Sequence, residues 1–388
     1  MFPNLFDRLI VAYLSATDKK KYISYIQTPY FRKKPETSHN RFIFQCFFAI
    51  MNILLHLMRK AMISVKDNYG RTIDYMRISV TDRCNLRCRY CMPEDIPSIS
   101  HDEILRFEEI LKICRCAVSL GVRKFKVTGG EPLVRKECLS FLRELKALPG
   151  VEQVTLTTNG VLLASRIPEL KAIGIDGINI SLDTLDPDTF RQITGFDDFG
   201  KVWEGLMAAQ ASGIRTKVNS VLLQGINDKD FEKLTELAKD YPVDVRFIEI
   251  MPIGYGQNYR GYDRKALLSL LAERYPDYHT VTIPRGNGPA SYIAIPGFRG
   301  CIGFIDAIHG KFCDSCNRIR LTSDGFLKPC LYYGESIDLK TPLRSGASDE
   351  QLCGLIREGI LEKPACHQFW SPDTGADREQ RQMSQIGG

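Results

Sequence analysis

Three cysteines that lie close together in the chain carry the most specific chemistry of this sequence: Cys84, Cys88 and Cys91. Their spacing is C-x3-C-x2-C, and Tyr90 stands directly before the last of them. Thiolates are soft ligands that suit iron–sulfur clusters. A four-iron cluster that is held by only three thiolates keeps one iron free to bind a small molecule. The spacing therefore predicts a reactive iron–sulfur site.

A second set of three cysteines, spaced C-x2-C-x13-C, lies in the last quarter of the chain: Cys313, Cys316 and Cys330. A second cluster with an open iron explains this set, and a structural zinc site completed by His309 is the alternative. Arg318 and Arg320 follow in alternation, so both point to the same side of an extended segment. Two guanidinium groups beside a cluster suit a triphosphate.

Short β-rich runs alternate with amphipathic helical runs from Met76 to Tyr278, which predicts parallel βα units. The expected strands are Met76–Thr81, Lys124–Thr128, Gln153–Thr158, Gly177–Leu182, Thr216–Leu223 and Val245–Met251. The clearest expected helices are Asp102–Leu120, Lys136–Leu148 and Asp228–Asp240. A closed eight-stranded barrel typically needs about 250 residues, and the rhythm covers fewer. The predicted fold class is therefore α/β, an open partial βα barrel of six units.

Local signals mark two helix ends. Ser100 with Glu103 forms the pattern of a capping box for the first helix, and Gly121 follows its end. Beyond Tyr278 the rhythm fails, and a smaller, irregular region with the second cysteine set begins. Within it one helix is expected over Ser348–Ile360, with Ser348 as its N-cap.

Polar residues follow the predicted strands at the points where the strands end. The first cysteine set follows the first strand, Gly129-Gly130-Glu131-Pro132 follows the second, and Ser181 ends the fourth. Active sites of parallel sheets form at the carboxyl ends of the strands. These groups are therefore expected to converge on one mouth.

The formal charge of the chain, +6, is unevenly distributed. Residues 1–60 carry 10 basic and 3 acidic side chains, which leaves 42 basic and 43 acidic side chains in the remainder. This neutral body gives no indication of nucleic-acid binding. The 13 cysteines are odd in number and clustered, which favours metal ligation in a reducing compartment over disulfides and predicts a cytoplasmic protein.

Three domains are expected: an extension over residues 1–61, the partial barrel over 62–278, and the region of the second cluster over 279–388 with a Gly-Gly tail. The extension contains basic clusters and a largely apolar run from Phe42 to Met58. A membrane anchor and a targeting peptide are two interpretations of this run. The third is a dispensable extension, or a translation start assigned too early with Met62 as the true start.

The whole run from Thr81 to Cys91 resembles the signature of radical S-adenosylmethionine (SAM) enzymes. The resemblance implies a [4Fe-4S] cluster on the first three cysteines, whose open iron binds the amino and carboxylate groups of SAM. Reduction of that cluster then cleaves SAM to methionine and a 5′-deoxyadenosyl radical. The residues that the resemblance places in the SAM site are Tyr90, Gly130, Ser181 and Met251.

The second cysteine run and the terminal Gly-Gly resemble the branch of this superfamily that cyclises GTP in the first step of molybdenum cofactor biosynthesis. The resemblance covers residues 62–388. It implies a second [4Fe-4S] cluster on Cys313, Cys316 and Cys330, whose open iron meets the guanine of GTP. The implied GTP contacts are Arg77, Lys126, Thr157, Lys217, Arg318, Ile319 and Arg320. The implied catalytic residues are Arg77, Arg318, Arg320, Gly387 and Gly388.

Lys126 stands where this branch often has arginine, so the positive charge is kept but a bidentate fork is lost. The partners that the resemblance implies are GTP, SAM, an electron donor and the cyclic pyranopterin monophosphate synthase that receives the product. The chain is expected to act as a monomer or a homodimer.

Two other functions stay open at this level. One is a radical SAM enzyme with another substrate, such as a peptide-modifying member with auxiliary clusters, which the Asn317–Thr322 run and the terminal Gly-Gly disfavour. The other is a binding protein without enzymatic activity that zinc stabilises. Iron and sulfide analysis separates the iron–sulfur functions from the zinc function.

Overall fold

The computed structural model describes residues 65–92, 99–310, 312–369 and 378–387. The chain divides into two units, Met1–Ala61 and Met62–Gly388, and every described residue belongs to the second. The extension of residues 1–61, with its basic clusters and its apolar run, therefore lies outside the described residues, and so do the three interpretations of it. Among the described residues, no helix is both long enough and apolar enough to cross a bilayer.

Twelve strands form one sheet in the described part of the chain, in the order β12-β11-β10-β1-β2-β3-β4-β5-β6-β9-β8-β7. The strands are β1 Tyr75–Ser79, β2 Lys124–Thr128, β3 Gln153–Thr158, β4 Gly177–Ser181, β5 Thr216–Ser220, β6 Asp244–Ile248, β7 His279–Val281, β8 Ser291–Ala294, β9 Ile302–Ile305, β10 Arg318–Leu321, β11 Phe326–Lys328 and β12 Ile337–Asp338.

The six predicted strands are confirmed as β1 to β6, which pair in parallel and in chain order. The parallel set continues at both sides, because β9 pairs with β6 and β10 pairs with β1. The sheet does not close on itself, since β12 and β7 stand at its two ends. This is the open partial barrel that the sequence predicted, widened by strands from the C-terminal region.

Helices cover the sheet and connect its parallel strands. Their bounds are α1 Phe107–Ser119, α2 Cys138–Ala147, α3 Ile167–Ile173, α4 Pro187–Thr194, α5 Phe199–Ala211, α6 Phe231–Asp240, α7 Arg264–Arg274, α8 Lys340–Arg344, α9 Asp349–Leu361 and α10 Met383–Ile386. Helix α9 confirms the helix expected at Ser348, whose side chain and that of Gln351 form a capping box.

The predicted start of the first helix is wrong by five residues. Ser100 does bind Glu103 through its side chain, at 3.1 Å, but this pair closes only a local turn. The N–H of Leu105 instead donates to the carbonyl of Ser323 at 2.8 Å. Helix α1 begins after Arg106, which is extended and forms its own capping box with Glu109. A contact with a distant segment therefore overrides the local capping signal.

Alternation along β1 and β2 separates the hydrophobic core from an inner polar face. Ile78, Phe125 and Val127 are almost completely buried in the core under the helices. Arg77 and Lys126 occupy the intervening positions, so they lie on the opposite face of the sheet. The fold thus directs these two cations to the interior of the partial barrel.

Candidate active site

The first cysteine set lies on the loop that follows β1, at the carboxyl end of the sheet. The N–H of Cys91 donates to the carbonyl of Cys88 at 2.9 Å, which tightens the loop. Burial, followed by neighbouring negative groups, raises the pKa of Cys91 to about 12 and that of Cys88 well above its usual value. Such thiols become thiolates when cationic iron binds them. The three soft donors therefore fit an iron–sulfur cluster.

The two glycines after β2 let the cysteine loop approach the sheet closely. A Cβ atom on Gly130 would lie 2.4 Å from the carbonyl oxygen of Arg83, and one on Gly129 would lie 2.6 Å from that of Thr81. The N–H of Gly130 donates to Thr81 at 2.7 Å. These glycines are therefore required by the close approach of the protein backbone itself.

Four residues predicted for the SAM site lie at or just beyond the carboxyl ends of strands. Gly130 follows β2, Ser181 ends β4, Met251 follows β6, and Tyr90 lies in the cysteine loop. The hydroxyl of Tyr90 donates to Asp183 at 2.7 Å. Burial raises the pKa of Asp183 to about 6. The predicted mouth is thus formed on one edge of the sheet.

Basic side chains from neighbouring strands crowd the inner face of the sheet. The register pairs Arg77 of β1 with Arg320 on one side and Lys126 on the other. Burial and then repulsion from neighbouring guanidinium groups lower the pKa of Arg320 to about 9 and that of Arg77 to about 10. Burial, followed by Arg246 and other cations, lowers the pKa of Lys126 well below its usual value. The inner face therefore favours binding of a polyanion.

Buried guanidinium nitrogens in this cluster lack partners within the described structure. The Nε atoms of Arg77, Arg246 and Arg318 are buried and form no hydrogen bond there. A cavity of about 280 Å³ lies beside Lys126 and Arg246. Since an unpaired buried donor is unfavourable, these groups are suited to receive phosphate oxygens.

Lys217 differs from the other basic residues because the protein already binds its ammonium group. Its Nζ donates to the hydroxyl of Tyr292 at 2.8 Å and lies 3.2 Å from a carboxylate oxygen of Asp244. Arg285 also binds Asp244, with Nη2 at 2.7 Å from the carboxylate. Lys217 therefore lines the cavity with part of its charge compensated.

The second cysteine set lies around the hairpin of β10 and β11. Cys313 and Cys316 precede β10, and Cys330 follows β11, which returns antiparallel to β10. Burial raises the pKa of Cys313. Burial also acts to raise the pKa of Cys316, but Lys363 and Arg318 lower it to about 7. This set fits a second cluster as well, because it supplies three soft donors next to positive charge.

The two cysteine sets lie at opposite ends of the neighbouring strands β1 and β10. These strands are parallel, so the first set follows the carboxyl end of β1 and the second set precedes the amino end of β10. A strand of five residues such as β1 spans roughly 16 Å. Arg77 and Arg320 lie along this span. The first set therefore lies at the predicted mouth, and the second set lies at the other end of these strands.

The zinc alternative at the second set depends on His309, and one nitrogen of its ring is already held by a carboxylate. Nδ1 of His309 contacts the carboxylate of Glu249, and that carboxylate also accepts the backbone N–H of Ile308 at 2.7 Å. Among the described residues, no three His, Cys, Asp or Glu side chains are grouped as they would be around one metal ion. Thiolates of a four-iron cluster bind different iron atoms, so they need no such convergence.

The last described residues reach back to the inner face of the sheet. Gly387 has a left-handed φ of 78°, and its carbonyl accepts a hydrogen bond from Nη1 of Arg320 at 3.2 Å. A Cβ atom there would lie 3.0 Å from Cβ of Ser79. Gly388 lies outside the described residues.

Comparisons with known proteins agree with this arrangement. Residues 78–238 match the Radical SAM superfamily, and residues 243–369 match Molybdenum Cofactor Synthesis C. A GTP 3′,8-cyclase of Clostridium perfringens is 41% identical over 325 residues, which are 84% of this chain and 100% of that protein. One of Heliobacterium modesticaldum is 46% identical over 330 residues, with 83% and 99% covered.

The chain belongs to the GTP 3′,8-cyclase family. Among solved structures, Streptococcus suis SuiB bound to S-adenosylmethionine has a TM-score of 0.55 at 16% identity, with 87% of this chain and 78% of that chain covered. At this identity the similarity shows the radical SAM fold alone.

The structure adds Arg246, which was not predicted from the sequence, to this cyclase-family site, and it gives Glu131 of the Gly129–Pro132 run a role. Arg246 lies on β6 inside the cation cluster, and no motif surrounds it. Glu131 is completely buried, and its carboxylate accepts the N–H of Asn159 at 2.7 Å and the hydroxyl of Thr158 at 2.8 Å. It joins the loops that follow β2 and β3. In the sequence, the role of Glu131 was indicated only by its charge and by its position directly after Gly129-Gly130.

Two other residues predicted to contact GTP, Ile319 and Thr157, differ from the arginines in burial and in hydrogen bonding. Ile319 is completely buried in the core, on the face of β10 opposite to Arg318 and Arg320, so only its backbone can contribute to the site. Thr157 lies on β3, and its hydroxyl accepts a hydrogen bond from Asn179 at 3.4 Å.

Proposed function

We propose that this chain converts GTP and SAM into (8S)-3′,8-cyclo-7,8-dihydroguanosine 5′-triphosphate, 5′-deoxyadenosine and methionine. One observation carries the proposal: a cluster of partly buried cations lies between two three-cysteine sets, and several of its buried Nε atoms lack partners among the described residues. A triphosphate supplies the missing negative charge and the missing acceptors.

Each cysteine set is proposed to hold one [4Fe-4S] cluster. Cys84, Cys88 and Cys91 would bind the cluster at the carboxyl end of the sheet, and SAM would fill the mouth lined by Tyr90, Gly130, Ser181 and Met251. When SAM is bound and the cluster is reduced, the cluster and SAM together would supply a carbon radical that abstracts a hydrogen atom from an unactivated C–H bond. Cys313, Cys316 and Cys330 would hold the second cluster.

The protein itself contributes mainly by positioning. Ring closure between ribose C3′ and guanine C8 needs both atoms of one GTP molecule to be held within reach of each other. Three guanidinium groups stand on the paired strands β1 and β10, those of Arg77, Arg318 and Arg320. Because the register of these strands is fixed, the relative positions of the donors are fixed as well. They would fix the triphosphate, while Lys126 and Arg246 extend the positive surface into the cavity. The tail at Gly387, bound to Arg320, would cover the substrate and exclude water.

The wider setting follows from the same chemistry. An electron donor must reduce the first cluster, and the product would pass to the cyclic pyranopterin monophosphate synthase. We expect a cytoplasmic enzyme, because clustered cysteines with open iron need a reducing compartment, and we expect a monomer or a homodimer.

An anaerobic assay tests this function directly. The reconstituted protein is incubated with SAM and dithionite, with GTP, with ATP or without nucleotide. Formation of cyclised product with GTP, and not with ATP, supports the proposal. Absence of GTP-dependent product in a protein that contains about eight iron and eight sulfide per chain contradicts it, and zinc without sulfide excludes the cluster chemistry altogether.

A further inference from the structure

Two buried basic residues outside the proposed GTP site contact the second cysteine set. Lys363 lies just beyond α9 and is only 3% exposed, and Arg71 lies before β1 and is 8% exposed. Neither residue belongs to a motif, and neither lines the cation cluster of the inner face. Their contacts converge on the segments that carry the three cysteines.

The ammonium group of Lys363 lies beside the segments that carry Cys316 and Cys330. Its Nζ donates to the carbonyl of Pro329 at 2.7 Å, directly before Cys330. Its ammonium group also lies close to the side chain of Cys316, where it lowers the pKa of that thiol. One ammonium group therefore joins the two arms of the β10–β11 hairpin at the positions where their ligands stand.

Arg71 holds the third cysteine and the segment of Lys363 together. Its Nη1 donates to the carbonyl of Cys313 at 2.8 Å and to that of Ala365 at 2.9 Å, and its Nη2 donates to that of Pro364 at 2.6 Å. Asp67 binds the same guanidinium. Arg71 is thus neutralised and acts as a scaffold, while Lys363 remains as the charge next to the sulfur atoms.

The charge of Lys363 needs an explanation, because a buried ammonium without a counter-charge is unfavourable. The other fully buried lysine of this region, Lys328, is paired with Glu379. Within the described residues, Lys363 has no such carboxylate, and its ammonium group donates to a carbonyl. Three thiolates around a four-iron cluster carry net negative charge, so the bound cluster supplies the missing counter-charge.

We propose that Lys363 is a positioning residue of the second cluster, which binds the sulfur of Cys316 and sets the reduction potential of that cluster through its charge. This inference rests on the proposed function, because it requires the second cluster. A hydrogen bond to a cluster sulfur and a nearby positive charge both stabilise the reduced, more negative state. The second cluster is therefore easier to reduce with Lys363 than without it.

The test uses the reconstituted enzyme and two variants of one position. Lys363→Met removes the charge at similar length, and Lys363→Arg keeps it. Lys112→Met is the matched control, because Lys112 also donates to a backbone carbonyl, that of Ala347 at 3.2 Å, but lies on α1 outside both cysteine sets. The midpoint potential of each cluster is measured by EPR-monitored titration, and added SAM identifies the signal of the first cluster.

We expect Lys363→Met to shift the second potential to a more negative value and to leave the first unchanged. Lys363→Arg should keep the potential of the second cluster close to that of the unsubstituted enzyme, because the charge is kept. Lys112→Met should leave both potentials unchanged. Loss of four iron from the second site in Lys363→Met, with retention in Lys363→Arg, also supports the proposal. An unchanged second potential in Lys363→Met with eight iron, or cluster loss in both Lys363 variants, overturns it.

The iron content of the unsubstituted enzyme separates this inference from the proposed function. About four iron per chain before any substitution means that the second cluster is absent, and both fail. About eight iron with no effect of Lys363→Met leaves the proposed function standing and removes only the role of Lys363.

Discussion

Nη1 of Arg320 donates a hydrogen bond to the carbonyl oxygen of Gly387 at 3.2 Å. Arg320 is one of the three arginines that β1 and β10 place on the inner face, and Gly387 is the last described residue of the chain. This contact connects the C-terminus with the proposed triphosphate site. It also makes the conformation of the tail a part of the substrate pocket.

Gly387→Ala should reduce GTP cyclisation by roughly tenfold to a hundredfold. Alanine is strained at a φ of 78°, and its Cβ would press against Ser79 at 3.0 Å. The tail must then move away from Arg320. Cyclised product and 5′-deoxyadenosine are measured by chromatography under anaerobic conditions.

Gly346→Ala provides the control for strain alone. Gly346 also has a left-handed φ, of 87°, but no atom would lie within 4 Å of its new Cβ. It should lose about 1 kcal/mol of stability with unchanged turnover. Full turnover in Gly387→Ala would refute the role of the tail.

Glu379→Gln should destabilise the protein by about 3 to 5 kcal/mol. Glu379 and Lys328 form an ion pair with almost no exposure, and Lys328 otherwise binds only the carbonyl of Tyr333. The substitution leaves a buried ammonium without its carboxylate. Denaturant unfolding measures the loss of stability, and limited proteolysis should show release of residues 378–387.

Glu232→Gln is the matched control for this pair, because Glu232 binds Arg274 at the surface. Exposed pairs contribute at most about 1 kcal/mol. Equal losses in the two variants would mean that the buried pair does not anchor the tail.

GTP binding should take up a proton at Lys126, and the affinity should fall as the pH rises. Burial and neighbouring cations lower the pKa of Lys126 well below its usual value, and a bound triphosphate raises it again. Between the lowered pKa of the free enzyme and the raised pKa of the complex, binding weakens by up to about tenfold per pH unit. Titration calorimetry in buffers of different ionisation enthalpy measures the uptake.

Lys126→Arg should bind GTP without this proton at neutral pH, because a guanidinium keeps its proton there even in this cluster, where the pKa of Arg320 is lowered to about 9. Persistence of the same proton uptake in Lys126→Arg would assign it to another group.

Cys316→Ser should keep cleavage of SAM and lose the cyclised product. Cys316 belongs to the second cysteine set, at the end of the sheet opposite to the proposed SAM mouth. Iron should fall from about eight to about four per chain. Cys301→Ser is the control, since Cys301 is buried outside both sets and should keep all iron and product. Normal product yield in Cys316→Ser would exclude the second cluster from the reaction.

Much of this arrangement could be predicted from the sequence, because it depends on local patterns. Alternating β-rich and amphipathic runs predicted β1 to β6, and tight cysteine spacing with Gly129-Gly130 indicated the cluster loop. The helix at Ser348 was also predicted correctly, since its capping box needs only neighbouring residues. The predicted start at Ser100 was wrong, because Leu105 binds the distant Ser323.

Local sequence patterns are enough to identify the side chains that can ligate iron and bind phosphate, because these properties belong to residue types at short spacing. The places where these side chains meet depend on the tertiary structure. The parallel pairing of β1 with β10 places the two cysteine sets at opposite ends, and Arg71 reaches Cys313 across 242 positions of the chain. Arg246 and Lys363 acquire their roles in the same way, because burial and neighbouring charge exist only once distant strands are paired.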